Sequence, residues 1–139
     1  MPGLKETIAR RLTHELGTVR KDPGGKLRVC LVYPNTYRVG MSSLGFQTVY
    51  HLLNSDPAVV CERCFVPDKE DLEELARAGG ELLSYESQSP VQTFDVIAFS
   101  ISYELDYVNV PRILRLAQTL HLRSATRERA VGNHHESAV

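Results

Sequence analysis

Between Leu27 and Gly45 the chain reads LRVCLVYPNTYRVGMSSLG, and no other stretch so narrows the folds open to it. It begins with Val29-Cys30-Leu31-Val32-Tyr33, an almost unbroken apolar run rich in β-branched residues. Such a run predicts a strand buried on both faces, as in a parallel sheet. Pro34 ends the ladder because it has no N–H to donate. Asn35 to Met41 then read as a polar loop, and Ser42 or Ser43 can cap a new helix. In that helix Phe46, Val49, Tyr50 and Leu53 fall on one apolar stripe. Strand, loop and helix in this order form the first half of a crossover. In an open α/β sheet the loop of such a unit lies at the carboxyl edge of the strands, where ligands bind.

The rest of the chain repeats the alternation. Leu4, Ile8, Leu12 and Leu16 are spaced four apart and predict a short amphipathic helix, followed by the turn-rich linker Lys21–Gly25. Residues 58–66, AVVCERCFV, read as a second strand, which Glu62 and Arg63 assign to a sheet edge. Asp68 and Asp71 open a helix with Leu72, Leu75 and Ala76 as its buried face, and Gly79-Gly80 stop it. Glu81–Ser84 could add a short strand, and Ser87–Thr93 read as loop. Residues 95–102, DVIAFSIS, read as a second buried strand. The last helix carries Val110, Ile113, Leu114 and Ala117, and Pro111 fixes its start near Asn109. From Arg123 the apolar pattern stops, so 123–139 read as a disordered tail. The expectation is an α/β fold: an incomplete flavodoxin-like or Rossmann-like parallel sheet of order 2-1-3 with flanking helices. Residues 1–26 are its helical lead and linker, and 27–122 the domain itself. Strand 95–102 then lacks an outer neighbour, and its open edge predicts self-association.

Formal net charge is −1, which removes a broad electrostatic argument for nucleic acid. No apolar run reaches the roughly 18 residues of a membrane span. Three cysteines with no secretory signal predict reduced thiols in the cytoplasm. Cys61-Glu62-Arg63-Cys64 is a CxxC lying in a strand without a second ligand pair, so packing cysteines are the expectation. His134 and His135 fall in the expected tail. The candidate binding residues are Asn35, Tyr37 and Gly40 of the first loop, with Ser100 and Ser102 at the end of the later strand. Gly40 would let backbone approach a ligand, and the adjacent helix N-terminus would favour an anion. Tyr103–Tyr107, with two carboxylates and two phenols, is a further polar cluster that could rim a site.

The phrases VCLVYPNTYRVGMSSLGFQTVYHLLN, CERCFVPDKEDLEEL and FDVIAFSISYELDYVNVPRIL resemble the N-terminal region of B12-binding-domain radical SAM proteins. There a Rossmann-like cobalamin-binding domain precedes a radical SAM barrel. The resemblance covers about Glu15 to Ser124 and implies a corrinoid ligand. The family's DxHxxG reads here Asn35, Tyr37 and Gly40, so its cobalt-ligating histidine is replaced by tyrosine. Its SxL reads Ser100-Ile101-Ser102 with the first serine kept, and its later GG turn is absent. The CxxxCxxC that holds the [4Fe–4S] cluster is absent too, so neither the cluster nor S-adenosylmethionine is expected on this chain. The resemblance implies a truncated, non-catalytic cobalamin-binding-like domain, its barrel lost or on a separate chain. Two alternatives stand beside it: a cofactor-free structural or partner-docking module, and a nucleotide- or phosphate-binding flavodoxin-like domain.

Overall fold

The computed structural model describes residues 3–117. Its centre is a three-stranded, all-parallel sheet of order β2-β1-β3. The strands are β1 (Leu27–Tyr33), β2 (Val59–Phe65) and β3 (Val96–Phe99). Five helices surround it: α1 (Leu4–Thr13), α2 (Tyr37–Met41), α3 (Leu44–Ser55), α4 (Lys69–Ala78) and α5 (Asn109–Leu116). Short 3-10 turns occupy Val91–Thr93 and Glu104–Val108. The expected sheet order is the observed one. The expected tail, 123–139, lies outside the described residues.

Alternation along β1 sorts the core into two layers. Val29, Leu31 and Tyr33 pack with Ile8 of α1 and with Phe46 and Tyr50 of α3. Cys30 and Val32 pack on the opposite face with Val91, Phe94, Ile113 and Ala117. In β2 the positions i and i+3 have opposite parity, so Cys61 joins the first layer and Cys64 the second. The CxxC therefore presents its two sulfurs to different faces of the sheet. Both cysteines are free and buried, in keeping with packing residues.

The two sheet edges differ. The outer edge of β2 is closed by groups that are not strands. Lys21 Nζ donates to the Val59 carbonyl at 2.6 Å. The Asn54 amide both accepts from Cys61 N–H and donates to the Cys61 carbonyl, at 2.9 and 3.0 Å. Tyr85 N–H donates to the Arg63 carbonyl at 2.8 Å, and Glu86 accepts from Arg63 N–H at 3.2 Å. These contacts satisfy the backbone groups that would otherwise template pairing. The outer edge of β3 has no such cover: among the described residues, β1 is its one strand neighbour.

Several local expectations are corrected. The loop after β1 contains a turn of helix, α2, because Thr36 is extended and Gly40 N–H already donates to the Thr36 carbonyl. Of the two expected caps, Ser43 caps α3, as expected, accepting from Phe46 N–H at 3.3 Å. Val49, placed on the buried stripe of α3, is exposed. Ala76 is exposed as well, and α4 buries Asp71 instead. Asp68 stands at the N-cap of α4, but its carboxylate accepts from Arg11 at 2.6 Å rather than from the helix. Glu81–Ser84 forms no strand, only a bridge from Leu83 to Pro90. β3 is shorter than 95–102 and only half-buried, with Val96 exposed; among the described residues no strand pairs along its outer side.

Candidate functional site

At the carboxyl edge of the sheet the chain after β1 is joined to the chain after β3. Asn35 Nδ2 donates to Asp106 Oδ1 at 2.9 Å, while Asn35 Oδ1 accepts from Thr36 N–H at 2.8 Å. Asn109 Nδ2 donates to the Pro34 carbonyl at 2.8 Å. Ser100 N–H donates to the Val32 carbonyl and extends the pairing past β3. Ser102 Oγ lies 3.5 Å from Ser43 Oγ, the N-cap of α3. Asn35 and Ser102 therefore both stand at the rim, one on each side of the β1 end. Asp106 comes from the polar cluster Tyr103–Tyr107. It is buried, whereas Tyr103, Leu105, Tyr107 and Val108 are exposed around it.

Two buried polar atoms at this edge have no hydrogen-bond partner among the described residues: the Tyr33 hydroxyl and Asp106 Oδ2. Buried polar groups are paired in the large majority of cases, so each such orphan calls for an explanation, a bound water or ligand among them. Tyr33 also forms part of the wall of a cavity of about 300 Å³ shared with Arg38, Ser43 and Ser102. A cavity of about 520 Å³ lies elsewhere, between α1 and α4. It is lined by Leu4, Leu75 and Leu83 together with Glu6 and Glu74, and holds none of the sequence-predicted residues.

Tyr37 and Gly40 are turned away from the rim. The Tyr37 hydroxyl donates to Glu15 at 2.5 Å, and its ring stacks on Tyr85 at 5.3 Å with Arg11 over it at 4.8 Å. Burial and then the Glu15 carboxylate push the Tyr37 phenol up to about 12. Gly40 is needed for packing rather than for close approach of a ligand. A Cβ there would lie 2.4 Å from Phe65 Cε1 and 3.2 Å from Tyr33 Cβ.

The structure also contains a buried charge network that the sequence reading did not assign. Arg63, fully enclosed in β2, donates to Glu15 at 2.9 and 2.7 Å and to Glu86 at 3.1 Å. Burial pushes Glu86 up to about 7, against the pull of Arg63. Burial acts the same way on Glu15, but Arg63, Tyr37 and Thr18 donate to it and hold it below the usual carboxylate range. Glu62, facing the other layer, accepts from Ser84 and Ser87 at 2.8 and 2.6 Å. Arg63 shares its parity with Cys61 and Phe65, both core residues, and that parity was the available signal.

The model of the family described as radical SAM proteins, N-terminal, matches residues 45–132, more than half of the chain. No curated protein and no solved structure matches. The matched span runs from the first turn of α3 through β2, α4 and β3 to α5 and beyond, and so includes Ser100, Ser102 and Asp106 of the rim. By this match the chain belongs to the family of radical SAM N-terminal regions.

Proposed function

We propose that this chain is a non-catalytic, corrinoid-binding N-terminal module of a radical SAM protein. The observation that carries the reading is the pair of unpartnered polar atoms, Tyr33 Oη and Asp106 Oδ2, at the carboxyl edge of a parallel sheet. That edge is where open α/β sheets receive ligands. A corrinoid carries amide groups around its rim, each offering donors and an acceptor, and these suit such orphans. Asn35, Ser102 and Asp106 would hold the periphery of the macrocycle, with Ser100 behind them. Tyr37 stands where a cobalt-ligating histidine would be, and its hydroxyl is committed to Glu15, so the metal would take no ligand from this loop. When bound, a corrinoid would supply cobalt-centred group-transfer chemistry. The [4Fe–4S] cluster and S-adenosylmethionine would come from a radical SAM barrel, on a separate chain or the same one.

The test is to mix the full chain with hydroxocobalamin, separate by gel filtration and record the visible spectrum of the protein peak. Coelution in stoichiometric amount with a shifted spectrum is expected. A folded protein that elutes without colour overturns the reading, and coelution with FMN instead would favour a nucleotide-binding domain. A second reading, a cofactor-free partner-docking module, is favoured by one observation: Tyr37 and Gly40 are both used up in core packing.

A further inference from the structure

We propose that the cavity between the end of β1 and the start of α3 is a binding site for an oxyanion of the phosphate class. This site shares Tyr33 and Ser102 with the corrinoid reading but does not rest on it. The cavity, of about 300 Å³, is bounded by Tyr33, Arg38, Ser42, Ser43, Ser102 and the exposed Tyr103. That volume suits a small group. Among its lining residues Arg38 is the one charged side chain, so no carboxylate opposes an anion there. Among the described residues Arg38 is exposed and has no ion pair of its own. In contrast, the cavities beside α4 mix carboxylates such as Glu74 and Asp71 with Lys5, Arg10 and Arg77.

The hydrogen-bonding groups fit the same ligand. Ser43 caps α3, a helix of 12 residues whose first N–H groups leave positive partial charge at this end. Ser43 Oγ accepts from Phe46 N–H, which leaves its own proton free to donate. Ser102 Oγ is 3.5 Å away, too far for a strong bond between the two hydroxyls, so both can turn to a third group. Ser42 is different: its hydroxyl donates to the Arg38 carbonyl at 2.8 Å and fixes the turn that carries the guanidinium. The independent observation is Tyr33. It is completely buried, belongs to the cavity wall, and its hydroxyl has no partner among the described residues. A phenol in that state is stabilised by an acceptor, and an oxyanion is the strongest acceptor available.

The experiment is a titration of the full chain with inorganic phosphate, and separately with dimethyl phosphate, at constant ionic strength, followed by amide chemical shifts. Saturable shifts at Arg38, Ser43 and Ser102 are expected. Arg38→Ala and Tyr33→Phe should each weaken binding by about tenfold, as loss of a hydrogen bond to a charged group does. Tyr33→Phe keeps the ring that packs edge-on against Phe46 at 5.5 Å, so an unchanged denaturation midpoint confirms that the fold is intact. Saturation by phosphate alone would assign a free anion, whereas equal binding of dimethyl phosphate would assign a phosphodiester within a larger ligand. Absence of saturable binding by either probe, or a variant that binds like the parent chain, overturns the proposal. Phosphate binding without hydroxocobalamin binding would leave this site standing and remove the corrinoid.

Discussion

Replacing Glu86 with glutamine should change how the stability of this protein depends on pH. Glu86 is nearly inaccessible, and its carboxylate accepts from both the backbone N–H and the Nε of Arg63, at 3.2 and 3.1 Å. Arg63 is already paired with Glu15, so one cation serves two carboxylates. Burial consequently raises Glu86 from 4.5 to about 7 in the folded chain. Between those values the native state binds a proton that the unfolded chain has released. Stability contributed by the protonated group is thus present at low pH and lost as pH rises toward 7. Each unit corresponds to about 1.4 kcal/mol, so roughly 2–3 kcal/mol should disappear between about pH 5 and about pH 8. Glutamine keeps the acceptor and removes the titration. Urea unfolding of both proteins at the two pH values measures the effect, and the difference between them cancels the histidines and every other group that titrates. The variant should gain on the parent chain by about 2–3 kcal/mol at the higher pH. A difference that stays constant within roughly 0.5 kcal/mol, the usual scatter of independent sites, would refute the reasoning.

Other consequences are open to the same methods. Gly40→Ala should lower stability by about 1–3 kcal/mol, the usual cost of overpacking, because the Phe65 ring it meets is held by Tyr37, Phe46 and Tyr85. An unchanged or raised urea midpoint would show that the ring can move aside. Arg63→Met should cost roughly 3–5 kcal/mol by leaving Glu15 and Glu86 buried without a cation. A loss below about 1 kcal/mol, the worth of an exposed pair, would mean that water reaches the network. Because among the described residues β3 has no outer strand neighbour, and Tyr103, Leu105, Tyr107 and Val108 are exposed, the chain should self-associate in sedimentation experiments as its concentration rises. A monomer at all concentrations would contradict this.

The fold was legible where one physical signal dominated. The apolar run 29–33 could be buried on both faces only at the centre of a sheet, and the spacing of Phe46, Tyr50 and Leu53 could suit only a helix lying against it. Gly79 ended α4 as expected, with φ of +64°. The site was harder to read because the same residue types serve packing and binding. Asn35 and Ser102 were found at the rim, but a tyrosine and a glycine after a strand do not announce which way they face. Tyr37 faces inward because Glu15, 22 residues earlier, accepts a hydrogen bond from its hydroxyl. The charges in β2 misled for a similar reason. Glu62 and Arg63 correctly indicated an edge strand, yet both are buried, since their partners lie in the irregular segment 84–87 and after α1. No periodicity links a strand to such segments.

The claim that the carboxyl edge of the sheet is the ligand face can be tested residue by residue. Amide and side-chain resonances of the full chain would be followed during a hydroxocobalamin titration. The account predicts saturable shifts confined to Tyr33, Asn35, Ser100, Ser102, Tyr103 and Asp106, with Glu6 and Glu74 of the α1–α4 cavity unmoved. Shifts centred on that cavity, or none at any ligand concentration, would contradict it.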